Sequence, residues 1–275
     1  ESLPDGSAGI PARNESDGPQ QATKEQPFVN SLGMKFVPVE GTDVLFCVHE
    51  TRYKDFAVYA AEKPGIDNAW RSQTIDNCVI TERAEDHPAV RVSWEDAQAF
   101  CTWLNKKERS MAYRLPTDWE WSIAAGLGNK ERRSRNDTPE SLSAVEKSEY
   151  PWGTAWPPLA GAGNYSDQSR RAKAPSGGDD YLARYDDGFP TTAPAMSFAP
   201  NLFGLHDMGG NVWEWVEDWI NIAQERRTVR GGSWRNHLEV NLLSSSRDYA
   251  SPADRHDSLG FRLVLDPSML QSTAE

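Results

Sequence analysis

The apolar positions of this chain fall into short, separated groups rather than one long periodicity. Residues 1–27 are polar almost throughout and read as a disordered leader or linker. Met34, Phe36, Val37 and Val39, then Val44, Leu45, Phe46 and Val48, form two extended apolar runs. The polar stretch Glu40-Gly41-Thr42-Asp43 between them predicts a hairpin. Thr51–Lys63 reads as a helix capped by Thr51, with Tyr53, Phe56, Tyr59 and Ala60 on one face and Pro64-Gly65 as its stop. Residues 66–86 are irregular. Ser93 opens the clearest helix. It caps with Asp96 three residues on, and Trp94, Ala97, Cys101 and Leu104 follow as one stripe. A second box, Thr117-x-x-Glu120, opens a helix over Asp118–Ala125 that stops at Gly126. Residues 127–150 are charged and poor in apolar side chains, which predicts a surface insertion. Residues 155–200 have little periodicity and many Gly, Pro, Asp and Ser. Extended segments are expected at Val229–Trp234, Leu242–Arg247 (strand or core segment) and Leu259–Leu265. Residues 28–267 then form one domain, and 268–275 a tail.

The stretch from Asn201 to Arg235 gathers glycine, tryptophan and carboxylate more densely than any other. Gly209, Gly210, Gly231 and Gly232 permit turns closed to other residues. Asp207, Asn211 and Glu214 put oxygen atoms between Trp213, Trp215 and Trp219. Side-chain oxygens on a kinked backbone suit a hard cation such as Ca²⁺, with carbonyls completing its shell. A tryptophan-rich core turn with solvated acids is the plainer alternative. The long 155–200 loop needs a clamp inside a compact domain. Asn164 and Asp187 offer it side-chain oxygens, and Tyr165 and Phe189 backbone carbonyls.

The net charge of −12 argues against a nucleic-acid partner, because phosphate binding needs clustered Lys and Arg. No apolar run reaches the roughly 18 residues of a membrane span. The chain starts at Glu1 without a signal-peptide pattern and reads as a processed or trimmed form. Its polar leader suits a secreted, periplasmic or surface-tethered domain. Cys47, Cys78 and Cys101 are the three cysteines. An odd count leaves at least one unpaired. A Cys47–Cys78 bridge and three separate thiols are both open. No Cys/His spacing suggests zinc.

NSLGMKFVPV, HPAVRVSWEDAQAFCTWL, YRLPTDWEWSIAAG, YPWG, GNVWEW, GGSW and DSLGFRLV occur in this order between Asn30 and Asp266. Together they resemble the formylglycine-generating enzyme, or sulfatase-modifying factor, family. The resemblance implies an α+β, C-type-lectin-like domain with little regular secondary structure and loops stabilised by calcium. It implies one Ca²⁺ site at Asn164, Tyr165, Asp187 and Phe189, and a second at Asp207, Gly210, Val212 and Glu214. The family's oxidases bind Cu(I) with two cysteines shortly after GGS(Y/W) and convert a substrate cysteine to formylglycine. Soft thiolates suit Cu(I). This chain has no cysteine after Cys101. Asn236 stands at the first position, and Glu239 or Val240 near the second. Copper is therefore not expected, and neither is an active formylglycine-generating oxidase. The family's iron-dependent branch carries a His-rich helical domain that is absent from this sequence. Trp213 and Ser233 match motif positions that line the family's substrate cleft. Arg235, Asn236, His237 and Arg247 are placed beside them by sequence proximity. The family also contains a paralogue without the cysteine pair and without oxidase activity. The expected function is thus a non-catalytic domain that binds a peptide, protein or glycan ligand. A formylglycine-generating oxidase, or another metal-dependent oxidase, with a rearranged centre is the alternative.

Overall fold

In this computed structural model, residues 19–110, 112–173 and 180–269 are described. Residues 1–18 of the expected leader and 270–275 of the expected tail lie outside them. Leader residues 19–27 pack on the domain: Ala22 touches the main core, and Lys24 donates to the Leu202 carbonyl at 2.9 Å.

The order of elements is β1 (Phe28–Val29), β2 (Lys35–Pro38), β3 (Leu45–Cys47), α1 (Tyr53–Glu62), β4 (Thr74–Ile75), β5 (Cys78–Val79) and α2 (Trp94–Glu108). Then come β6 (Tyr113–Arg114), α3 (Asp118–Ala124), α4 (Pro139–Leu142), α5 (Gln168–Lys173), β7 (Trp213–Trp219) and β8 (Arg227–Arg230). The chain closes with α6 (Glu239–Leu242), β9 (Arg247–Ala250), β10 (Leu259–Phe261) and β11 (Val264–Leu265). The expected hairpin is β2–β3, paired Val37 to Phe46 and Pro38 to Leu45. It lies in an antiparallel sheet of order β1-β2-β3-β11-β6. A second sheet runs β10-β7-β8-β9, with β10 parallel to β7.

The α2 helix forms as its sequence dictates. Ser93 Oγ accepts from the Asp96 N–H at 3.1 Å, and the Asp96 carboxylate accepts from the Ser93 N–H at 2.9 Å. Its buried face stacks Phe100 on Phe56 and sets it edge-on to Phe261, at ring separations of 5.9 and 5.6 Å. Burying each of these rings contributes about 1.5–3 kcal/mol. A second cluster, with Val37, Phe46, Trp121, Val216 and Val264, joins the first sheet to α3 and β7.

Several elements differ from expectation. Arg52 rather than Thr51 caps α1, because the Arg52 N–H and guanidinium both bind Asp55. The expected irregular segment 66–86 contains the β4–β5 hairpin. Its two turn residues, Asp76 and Asn77, are both left-handed, at φ +51° and +65°. The expected insertion 127–150 is partly buried, since Leu127, Glu131, Pro139 and Leu142 face inward. Leu242–Arg247 is a buried core segment rather than a strand, running from the end of α6 into β9. Leu259–Leu265 is two strands in two sheets, because Arg262 turns into the core between them. Trp213–Trp219 forms strand β7, inside the second sheet.

Candidate functional site

Two glycine-rich loops meet beside β7. Gly210 N–H donates to the Gly231 carbonyl at 2.9 Å, and Trp234 N–H donates to the Asn211 carbonyl at 3.0 Å. Gly210 sits at φ +81°, and a Cβ there would stand 2.4 Å from the Asn164 carbonyl oxygen. Only glycine fits both demands. Asn211, also left-handed, is the hub. Its Oδ1 accepts from Ala193 N–H at 2.8 Å and from Asn164 Nδ2 at 3.1 Å. Its own amide donates to Glu50 Oε2 at 2.7 Å. The loops are thereby tied to the segment before α1.

Asp187 lies against the backbone of two other members of the first oxygen set. Asp187 accepts from the N–H groups of Tyr165 and Phe189, at 2.9 and 2.8 Å. Burial and the neighbouring Asp167 carboxylate push Asp187 up to about 8. Asn164 is fully buried, and its Oδ1 has no hydrogen-bond partner among the described residues. The orphaned Asn164 oxygen and the raised Asp187 carboxyl are donor types that suit a hard cation. The second set fits in part. Asp207, Gly210, Val212 and Glu214 are all buried, yet Glu214 is already bound by Arg262 through Nε and Nη2 and by Trp121 Nε1 at 2.8 Å. Glu50 and Asp207 are its buried neighbours, and burial raises both of them above the usual carboxylate range. Three buried carboxylates thus share one guanidinium. No group of three His, Cys, Asp or Glu side chains forms a metal cluster among the described residues. A cation at either place therefore depends on amide and carbonyl oxygens.

The second loop holds the residues expected to line a cleft. Asn236 Oδ1 accepts from the N–H and the hydroxyl of Ser233, at 2.9 and 2.8 Å. The Asn236 carbonyl in turn accepts from Ser166 N–H at 3.0 Å. Arg235 grips Asp257 with two hydrogen bonds, at 3.1 and 3.0 Å. The guanidiniums of Arg235 and Arg170 both lie over the Trp234 ring, 4.2 and 4.7 Å from its centre. Asp76, at the tip of the β4–β5 hairpin, lies within 3.7 Å of both arginines. Arg170 Nη1 is buried with no partner among the described residues. His237 is half-buried next to Asn236. Glu239 accepts from the Tyr150 hydroxyl at 2.5 Å, and Val240 is exposed on α6. Trp213 packs into the main core from β7.

Arg247 corrects its expected placement. It lines no groove. It is buried between α3 and β9 and holds Asp118 and Glu131, each through two hydrogen bonds. Sequence proximity failed because β9 carries Arg247 opposite Arg230, toward α3 and away from Ser233. The Cys47–Cys78 bridge is corrected too, since all three cysteines are free. Cys47 lies buried in β3, where desolvation pushes its thiol up to about 12. Cys101 is likewise buried and raised. Cys78 is half-buried on the hairpin.

Sequence reading missed Glu50, Asp167, Arg170 and Arg262 as members of these clusters. Only the run of acids Asp186-Asp187 hinted that a further carboxylate stands nearby.

The arrangement is that of a known domain class. A sulfatase-modifying factor enzyme 1-like domain matches residues 2–267, and the chain belongs to that family. It is 34% identical over 218 residues to a formylglycine-generating enzyme of Thermomonospora curvata, covering 72% of this chain and 61% of that protein. It is also 32% identical over 199 residues to the inactive C-alpha-formylglycine-generating enzyme 2 of Bos taurus, covering 70% and 54%. The chain thus spans about half to three fifths of the length of these relatives. Among solved structures, PvdO from Pseudomonas aeruginosa aligns with a TM-score of 0.56 at 22% identity, over 90% of this chain and 89% of that one. CarF aligns with a TM-score of 0.57 at 23% identity, over 81% and 86%. These likenesses bear out the α+β fold with little regular structure. No helix among the described residues is long and apolar enough to cross a membrane.

Proposed function

We propose that this domain is a non-catalytic member of its family that binds a peptide, protein or glycan ligand in the cleft beside Trp234. The observation that carries this reading is the Ser233–Asn236 pair. Where the family resemblance places a copper-binding thiolate, an amide oxygen is consumed by the N–H and hydroxyl of Ser233. Amide and hydroxyl groups hold Cu(I) poorly compared with thiolate. Cys47 and Cys101 are buried thiols held protonated, so neither supplies one. Arg170 Nη1, a buried donor with no partner among the described residues, would suit an acceptor group on the ligand.

Calcium clamps the long loop in this reading. Asn164 Oδ1, the Asp187 carboxylate and the carbonyls of Tyr165 and Phe189 would hold it. Asp207, Gly210, Val212 and Glu214 would hold a second ion only by sharing Glu214 with Arg262. Bound Ca²⁺ would supply charge compensation to the acidic loop and no chemistry.

The oxidase reading has one observation in its favour. Cys78 is the half-buried thiol among three free cysteines, the other two being fully buried. The test is incubation with a Cys-x-Pro-x-Arg peptide, Cu⁺ and O₂, followed by mass spectrometry and oxygen uptake. Unchanged peptide is the expected result. Conversion of its cysteine, lost in Cys78→Ser, would replace the binding reading with a rearranged oxidase.

A further inference from the structure

The most concentrated positive charge on this acidic protein lies away from the cleft, at the end of α3. Residues 130–135 read Lys-Glu-Arg-Arg-Ser-Arg in a chain of net charge −12. Arg132, Arg133 and Arg135 border an open cavity of about 620 Å³, with Trp119, Asn129, Glu131 and Ser134 completing its wall.

The charges of this segment are not cancelled locally. Glu131, its one acid, turns inward and spends both oxygens on Arg247. Lys130 is paired with Glu149 at 2.7 Å. Arg133 reaches Asp118 at 3.3 Å, but Asp118 already binds Arg230 and Arg247. Arg132 and Arg135 are exposed and form no ion pair among the described residues. The cavity therefore presents the guanidiniums of Arg132 and Arg135, unpaired among the described residues, beside that of Arg133, which Asp118 and Asp137 partly compensate. Guanidinium forks match the paired oxygens of phosphate and sulfate groups. Trp119, half-buried with the Arg133 guanidinium 5.8 Å from its ring centre, adds an apolar wall beside them.

We propose that this cavity is a binding site for a small phosphate or sulfate ester, its oxyanion held by Arg132, Arg133 and Arg135 and its organic part against Trp119. A long polyanion is disfavoured, because it would extend beyond this patch over a surface of opposite preference. Single-stranded nucleic acid also depends on a continuous basic groove.

The test is calorimetric titration of the whole chain, at low ionic strength, with phenyl phosphate, phenyl sulfate, inorganic phosphate and a single-stranded oligonucleotide. The expected result is saturable one-to-one binding of a phenyl ester, at least tenfold tighter than inorganic phosphate. Arg132→Gln/Arg135→Gln should weaken it at least tenfold while leaving the melting temperature unchanged, since neither arginine holds an ion pair. Absence of saturable ester binding, or equal affinity in the double variant, overturns the site. Equal affinity for inorganic phosphate overturns the role of Trp119. Tighter binding of the oligonucleotide overturns the small-ligand assignment.

Discussion

Asp118 binds Arg247 through both of its oxygens, at 3.1 and 2.9 Å, across 129 residues of sequence. It also binds Arg230, which pairs with Arg247 across β8 and β9. Opposite charges at this contact hold Asp118 below the usual carboxylate range in spite of burial. The pair fastens the start of α3 to the second sheet, directly behind the Gly231–Asn236 loop. Asp118→Asn keeps the shape and leaves two guanidiniums sharing Glu131. Breaking one partner of a buried pair typically costs about 3–5 kcal/mol. Urea unfolding should show a loss of that order. A loss below about 1 kcal/mol would mean that Glu131 and the backbone carbonyls carry the contact unaided.

Calcium is tested by its linkage to stability. A ligand that binds only the folded chain at a hundred times its dissociation constant contributes about 2.7 kcal/mol. Thermal melts with EDTA and with Ca²⁺ should differ by several degrees. Asn164→Ala should remove most of that difference, because it deletes the orphaned oxygen. Atomic-emission analysis of the purified protein checks the identity of the ion. Copper or iron in place of calcium would redirect attention to Asn236, His237 and Glu239.

Local chemistry was legible in the sequence wherever it acts over a few residues. The Ser93 and Thr117 capping boxes, the β2–β3 hairpin and the glycine loops each follow from neighbours in the chain. Motif order also named the first oxygen set, of which hydrogen bonds join Tyr165, Asp187 and Phe189. Contacts set by sheet pairing were not legible. Arg247 was read as a cleft residue because it follows Ser233 closely, but β8–β9 register sends it to Asp118. Glu50 sits at the end of an apolar run, and nothing local signals that it will accept from Asn211. Arg262 splits one apparent strand into two because its charge is matched by Glu214, 48 residues away.

Gly210 gives the sharpest backbone test. Alanine there meets the Asn164 carbonyl at 2.4 Å and the Tyr165 ring at 2.8 Å, in a left-handed conformation. Left-handed backbone alone costs an alanine about 1–2 kcal/mol, and the overlap forces Asn164 to move. Gly210→Ala should therefore lower stability by more than about 2 kcal/mol and also weaken the calcium-dependent shift in melting temperature. Gly65→Ala is the control: it shares the positive φ, at +92°, but meets nothing within 4 Å. Equal losses in the two variants would assign the whole effect to backbone strain and none to the Asn164 contact.

His49 and His87 make the fold sensitive to mild acid. Both are buried, and desolvation first of all lowers both to about 4. His87 is held between the Thr192 hydroxyl at 2.9 Å and the Glu82 carbonyl at 3.2 Å, with Arg83 adding repulsion. In the unfolded chain each imidazole takes its proton near pH 6.5. Between pH 6.5 and 4 the unfolded state therefore binds more protons than the folded state. Stability is fully present above pH 6.5, falls as pH drops toward 4, and loses nothing further from these groups below it. Each histidine accounts for a loss on the order of 3 kcal/mol across that window. Asp187, Glu50 and Asp207, raised in the folded chain, act in the opposite direction over this window, so the histidine contribution is read from the difference between wild type and a His87 variant in urea melts at pH 6.8 and 4.5. His87→Gln keeps an amide in reach of Thr192 and removes the titrating group, so its stability should decline measurably less over the same interval. An identical pH dependence in the variant would show that His87 takes up its proton in the folded chain as readily as in the unfolded one.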